Sequence, residues 1–325
     1  MNIIAWSFEW NSPLEQDIGK DMTISSSRTG KLQSNNTGFN IIPKDEIYIQ
    51  FKLMSSFGLN NNFNTESEVT LLQLKYLDAT LLKMIATKYN TIQLWKGSKE
   101  TLLYEEDNFS NGFWNIHEIR YKGGSNGNIT YRLKGEIVYE YNGDVRTIAN
   151  PSITEVATIV FRGLTYYTNF WFDDIVVNDT TGSYNNSWPD GVRVKLLKPN
   201  GDHSITWSRT GGSNNYGAVN DVTNNYSLYT NTVGAIDLYN MSDCNSDTYD
   251  IKWARAIHVI KGYDTDIKHF TPIFKISGTN YYGNTVKIPY SYHYVRQLFE
   301  VSPATGNKWT KTELDGIIFG QRADE

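Results

Sequence analysis

Glu46-Ile47-Tyr48-Ile49-Gln50-Phe51-Lys52-Leu53 carries an apolar side chain at every second position. In an extended chain Ile47, Ile49, Phe51 and Leu53 line one face, while Gln50 and Lys52 point the other way. That period is the mark of a strand buried on one side, as in antiparallel sheets. The same alternation runs from Asn128 to Lys134, where Ile129, Tyr131 and Leu133 oppose Thr130, Arg132 and Lys134, and it returns at Ile251 to Val259 and Val192 to Leu196. Asn60-Asn61-Asn62, Lys122-Gly123-Gly124, Lys134-Gly135, Asn142-Gly143-Asp144 and Asn200-Gly201-Asp202 read as loop tips between strands, because Asn and Gly accept the positive φ of tight turns. Many short strands at this spacing predict sandwiches or jelly rolls.

Composition agrees. Aromatic residues make up 14% of the chain, with 22 Tyr and 9 Trp, and these types favour pleated, half-buried surfaces. Residues 77–89 read as strand rather than helix because β-branched and aromatic residues flank them. One helix start stands out, the capping box Thr310-Lys311-Thr312-Glu313, which predicts a short helix near 311–316 ended by Gly316.

The 325 residues suffice for two domains. The polar, turn-rich stretch from Asn178 to Gly191 separates strand patterns on either side, so the domains are placed at 1–180 and 181–325. The expected fold class is all-β: two antiparallel β-sandwich domains, the second with the short helix.

Charge and cysteine content narrow the function. A net charge of -5 gives no polycationic surface, so a nucleic-acid partner is not expected. A single cysteine, Cys244, excludes a disulfide framework and a Cys-only zinc site. No run of about 18 apolar residues predicts membrane insertion. Met1 to Trp10 lacks a basic stretch followed by a long apolar run, so synthesis in a cytoplasm without a standard export signal is expected.

Trp6-Ser7-Phe8-Glu9, Phe113 to Arg120, Asn128 to Tyr141 and the closing Trp171 to Asp179 resemble the concanavalin A-like, laminin-G-like jelly-roll domains of bacteriophage structural proteins. Ser187 to Val194, Trp207, Val233 to Tyr239 and Ser302 to Leu314 resemble a segment that often follows that domain. The resemblance implies a concanavalin A-like first domain. It also implies a virion protein, made in the host cytoplasm and exposed on head or tail, whose partners are other virion proteins and copies of itself.

Jelly rolls host lectins, glucanases and inert modules alike, so the residues must decide. A glucanase needs two carboxylates across one cleft, about 5–5.5 Å or about 6.5–9.5 Å apart. The Glu-X-Asp-X-Glu run of that type is missing; Glu313-Leu314-Asp315 comes nearest, with Ile317 and Ile318 at the third acidic position. Glu136 and Glu140 fall on one strand face but about 13 Å apart. Glu66 and Glu68 read as solvated edge residues, and the neighbouring Asp173 and Asp174 as structural. Gly123-Gly124-Ser125-Asn126-Gly127 matches a nucleophile elbow in letters, yet it lies between strands instead of leading into a helix. His117, His203, His258, His269 and His293 are scattered, and neither Asp264-Thr265-Asp266 nor Asn200-Gly201-Asp202 offers calcium a full ligand set. The expectation is a chain without enzymatic activity, cofactor or metal.

Carbohydrate adhesion to a host surface glycan is the alternative. Aromatic faces stack on sugar rings, and amides hydrogen-bond their hydroxyls. The candidate contacts are Tyr166, Tyr167 and Asn169, then Asn214 and Tyr216, and Tyr281 and Tyr282 in the loop 280–283.

Overall fold

The computed structural model describes residues 4–6, 37–55, 68–87, 89, 91–107, 113–161, 170–181, 184–193, 195–220, 226–244, 250–262, 267–291 and 293–325. The chain divides into two compact units, Met1–Val194 and Lys195–Glu325.

The first unit is built from β1 (Ile4–Trp6), β2 (Thr37–Lys44), β3 (Glu46–Ser55), β4 (Glu68–Tyr76), β5 (Ala79–Thr87) and β6 (Ile92–Lys96). It continues with β7 (Thr101–Glu106), β8 (Asn115–Lys122), β9 (Gly127–Leu133), β10 (Glu136–Gly143), β11 (Val156–Phe161) and β12 (Phe170–Asp179). These make two six-stranded antiparallel sheets, β1-β12-β3-β8-β9-β10 and β2-β11-β4-β5-β6-β7. The alternation read from β3 holds: Ile47, Ile49, Phe51 and Leu53 are all fully buried. They meet Leu72 and Leu74 of β4 and Met84 of β5 in one core. Three rings tie the sheets together at its centre, with Phe161 of β11 at 5.4 Å from Phe51 and 5.3 Å from Phe172. Each such side chain contributes about 1.5–3 kcal/mol through the area it removes from water.

The core also holds a polar pair. His117 Nδ1 lies 2.7 Å from the Tyr131 hydroxyl, both side chains fully buried, and the imidazole stacks on Phe51 at an interplanar angle of 7°. Burial, then the charge of Lys134, hold His117 down at about 3.

Several loop readings are corrected. Lys122-Gly123-Gly124 and Lys134-Gly135 do turn between strands, the latter with φ of 54° and 87°. Asn142-Gly143 instead ends β10, and Asn200-Gly201-Asp202 lies inside a strand of the second unit. Glu136 and Glu140 do not share a face: a bulge between Ile137 and Tyr139 sets Glu136 opposite Leu133 and Glu140 opposite Thr130. Asn60-Asn61-Asn62, Glu66 and Asp264-Thr265-Asp266 lie outside the described residues.

The stretch read as the domain boundary belongs to the first unit, which runs to Val194 rather than 180. It packs on the outer face of the first sheet. Trp188 meets Tyr48 edge-on at 5.4 Å and lies 4.7 Å under the Arg132 guanidinium. Buried side chains hold its backbone: Gln50 Nε2 donates to Val192 O at 2.7 Å, Asn178 Nδ2 to Ser187 O at 3.0 Å, and Asp190 N to Glu118 Oε1 at 3.0 Å. Burial raises the Glu118 carboxyl above its ordinary value, against the pull of Arg132 and the Asp190 amide. Residues 192, 193, 195 and 196 lie outside any strand, and the Val192 carbonyl is taken by the Gln50 side chain instead of a neighbouring strand.

The second unit contains β13 (Pro199–Ser204), β14 (Ser208–Arg209), α1 (Asn215–Val219), β15 (Leu228–Tyr229), β16 (Ile236–Met241) and β17 (Ala254–Ile260). After these come β18 (His269–Ile276), β19 (Thr279–Tyr282), β20 (Val286–Lys287), β21 (His293–Phe299), α2 (Lys311–Asp315) and β22 (Ile318–Asp324). Its main sheet runs β13-β16-β22-β18-β19, and β17 and β21 form a separate ribbon. Phe274 of β18 meets Phe299 of the ribbon at 4.6 Å, and His258 sits 4.8 Å from Phe319 of β22. Trp309 and Leu314 of the α2 region join that core. The face with Phe274, Phe319 and Tyr281 is therefore the packed one. The strand alternation sends Lys275, Asn280 and Leu238 to the other.

Candidate functional site

The hairpin of β18 and β19 turns at Ser277-Gly278, with φ of 49° and 84°. Two consecutive positive φ values make the primed turn that matches strand twist, and Gly supplies the second at no steric cost. The two-residue turn sets Lys275 directly opposite Asn280. Tyr282, two residues on, shares their face about 7 Å further along the strand.

An open cleft of about 570 Å³ lies against this pair. Ile236 and Leu238 of β16 form its apolar floor, and Ser204 and Thr206 stand on one side with Thr232 on another. The loop ahead of β16 is pinned to β22, since Gly234 N donates to Ala323 O at 2.8 Å and Ala323 N to Ala235 O at 3.0 Å. β16 and β22 approach so closely that a Cβ on Gly320 would fall 1.9 Å from Asp237 O, so glycine alone fits there.

Asp237 anchors the opposite wall from the packed face. Its carboxylate is fully buried and accepts four bonds: Thr206 N at 2.6 Å, Trp207 N at 2.8 Å, Asn215 Nδ2 at 2.8 Å and the Tyr239 hydroxyl at 3.0 Å. Burial, then the Asp237 charge, push the Tyr239 hydroxyl up from its ordinary value, so it remains a donor. A buried carboxylate with four donors is a fixed post. It sets where Thr206 stands beside the floor.

Lys275 Nζ lies 3.3 Å from His203 Nε2. Among the described residues no carboxylate lies within ion-pair distance of Lys275, and no acidic side chain lines the cleft. The Asn280 side-chain amide makes no hydrogen bond among the described residues, and its Oδ1 is shut from solvent. Beyond Asn280 the Tyr282 ring is half exposed, with the Arg322 guanidinium 4.9 Å from its centroid. The arrangement offers a cation, an amide, hydroxyls and an apolar floor in one place.

The sequence candidates scatter. Tyr166, Tyr167 and Asn169 lie outside the described residues. Asn214 is the N-cap of α1, its Oδ1 accepting from Gly217 N at 2.8 Å. The Tyr216 amide donates to Asp202 Oδ1 at 2.6 Å at the start of that helix. Tyr281 turns to the packed face beside Phe274, because 280–283 begins as strand and alternates. Only Tyr282 of the described candidates shares a face with the cleft. Lys275 and Asn280 are not among the sequence candidates for this face; their signal lies in Phe274-Lys275-Ile276-Ser277-Gly278-Thr279-Asn280, where a two-residue turn sets the second and last residues opposite each other.

The acidic and histidine candidates resolve as structure. Glu68 pairs with Lys99, Asp174 with Lys52, and Asp202 serves the amides of Asn215 and Tyr216. His269 Nδ1 lies 2.6 Å from Glu325 O. The Gly123 to Gly127 stretch connects β8 to β9 with no helix. Among the described residues no group of three His, Cys, Asp or Glu side chains could hold a metal, and no helix is long and apolar enough to cross a membrane.

No family model matches the chain, and no curated protein does. Solved structures do. The alginate lyase Aly36B is similar over 44% of this chain and 73% of its own, with 12% identity and a TM-score of 0.32. An endo-beta-1,4-glucuronan lyase from the fungus Trichoderma reesei covers 54% of this chain and 79% of its own, at 11% identity and a TM-score of 0.32. A tetrameric galectin from the ball sponge Cinachyrella sp. covers 43% and 96%, at 14% identity and 0.30. The chain is an all-β protein of antiparallel sheets, and the similar structures include two lyases and a galectin.

These neighbours overturn one expectation. The chain was read as non-enzymatic because it lacks the paired carboxylates of a glucanase, yet two of the similar structures are lyases. The carboxylate test addresses hydrolysis alone. Chemistry that starts with proton abstraction by a general base needs a different set of side chains.

Proposed function

We propose that this chain recognises carbohydrate through the open cleft of its second unit. The observation that carries the reading is the make-up of that cleft: an apolar floor of Ile236 and Leu238, rimmed by hydroxyls, an unbonded amide and a lysine. A sugar ring is amphipathic in the same way, with C–H faces and a rim of hydroxyls. A volume of about 570 Å³ falls within the range of small-ligand sites, about 300–1,000 Å³. Tyr282 gives an aromatic surface on which a second sugar ring can rest.

A glycan array probed with the whole chain tests this. Binding is expected, and Thr232→Trp, which fills the cleft from an exposed loop, is expected to abolish it. Retained binding in that variant removes the cleft from the proposal. Following the length of each bound glycan then tells recognition from cleavage.

Placement on a bacteriophage particle is part of the proposal, and its support is the sequence resemblance of the first domain and the segment after it. Immunogold electron microscopy of particles from the source phage tests it. Label over the shell supports decoration, and label at the tail end supports host adhesion. Unlabelled particles with an accessible epitope would remove the virion from the reading.

A further inference from the structure

We infer that the cleft selects sugars that carry a carboxylate, uronic or sialic acids, and that Lys275 is the residue that reads the charge. The inference rests on the carbohydrate reading and deepens it. Its ground is what Lys275 has and lacks. Among the described residues the ammonium has one partner, His203 Nε2, and no carboxylate. It stands at the edge of an apolar floor, where nearby low-polarity groups strengthen a charge–charge contact. Three other lysines of this unit sit in ion pairs, Lys311 with Asp315, and Lys252 and Lys308 with Asp250, and none of these lines the cleft. Lys275 keeps its charge available towards the cleft.

Geometry adds the second group. Asn280 faces Lys275 across the hairpin and lines the same cleft, with no hydrogen bond to its side chain among the described residues. An ammonium and an amide N–H that both donate match a sugar whose carboxylate lies beside a hydroxyl. A neutral sugar offers the lysine only hydroxyl oxygens, and a carboxylate offers it a stronger, charge-assisted bond. The contact with His203 of β13 brings the Lys275 ammonium over the strands β16 and β22, which lie between β13 and β18.

The test compares tetragalacturonic acid with its fully methyl-esterified form, which keeps every ring and loses every charge, by isothermal titration with the full chain. Sialyllactose and lactose form the second pair and separate a uronate source from a sialate one. The acid of one pair is expected to bind about tenfold or more tighter than its neutral partner, with the preference falling as salt rises. Lys275→Gln is expected to weaken the acid far more than its neutral partner and so remove that preference, and Lys275→Arg to restore most of it. Equal binding of acid and neutral forms, or a preference that survives Lys275→Gln, overturns the inference and leaves carbohydrate recognition standing. Failure of all four ligands, with no glycan bound on the array, overturns both.

Discussion

His117 lies in the core with Phe51 on one side and Tyr131 on the other, and it stays neutral because charging it there means desolvating the charge. An unfolded histidine titrates near 6.5, and this one near 3 in the folded unit. Between those values the unfolded chain binds the extra proton, so stability falls as pH drops through 6.5 and goes on falling until about 3. From pH 7 to pH 5 this group alone costs the folded state about 2 kcal/mol. His258, held by burial at about 4, acts in the same direction in the second unit. Urea unfolding of the parent and His117→Phe at the two pH values measures it. The variant is expected to lose this part of the pH slope and retain that of His258, while starting about 1–3 kcal/mol lower because the Tyr131 hydroxyl loses its partner. An unchanged slope would remove His117 from the acid response. At this scale the sequence shows which residues alternate, as at β3, but not what a polar residue on the inner face will meet. His117 falls on the same face as Ile119 and Tyr121, and only the folded partner tells a core imidazole from a site.

At the scale of elements, alternation and turn chemistry reach far and fail for identifiable reasons. The strands around Ile47 and Ile129 form where read, and the box at Thr310 opens α2. α1 escapes because its five residues include a glycine and no apolar period, and its cap, Asn214, looks like one more loop asparagine. The 200–202 turn reading fails because Asn-Gly is also tolerated in a bulged edge strand, and β13 is shifted in register on both sides of Gly201 and Asp202. The cleft suffered from a related gap, since Ser277-Gly278 fixes the register of Lys275 and Asn280 only once both flanks are known to be strands. α2 offers a direct measure of a local signal. Thr310 Oγ1 accepts from Glu313 N at 3.2 Å, and Glu313 Oε2 accepts from Thr310 N at 2.8 Å. Removing the cap with Thr310→Ala is expected to cost about 1 kcal/mol. Because Leu314 of this helix packs into the core with Trp309, the loss should appear in hydrogen exchange at both α2 and Trp309. Loss confined to α2 would mean that the helix docks without stabilising its neighbours.

For the whole molecule, the boundary between units shows how composition misleads. Residues 184–193 are polar and turn-forming, which is the usual make-up of a linker. Their backbone groups nevertheless end on buried side chains of the first sheet, and Trp188 is held between Tyr48 and Arg132. Buried amides and carboxylates such as Gln50, Glu118 and Asn178 are costly to leave without partners. The segment is thus what makes the polar face of that sheet stable, and a cut at 180 strips those groups of their bonds. A fragment of residues 1–194 is therefore expected to melt at a higher temperature than one of 1–180. Trp188→Ala in the longer fragment should lose about 1–3 kcal/mol, from the edge-on contact with Tyr48 and the guanidinium above the ring. Calorimetry of the three proteins decides between two roles for the same residues. If both fragments melt together and Trp188→Ala changes nothing, the stretch is a tether after all. A graded loss makes it the final layer of the first unit, and the second unit then starts at Lys195 with its cleft intact.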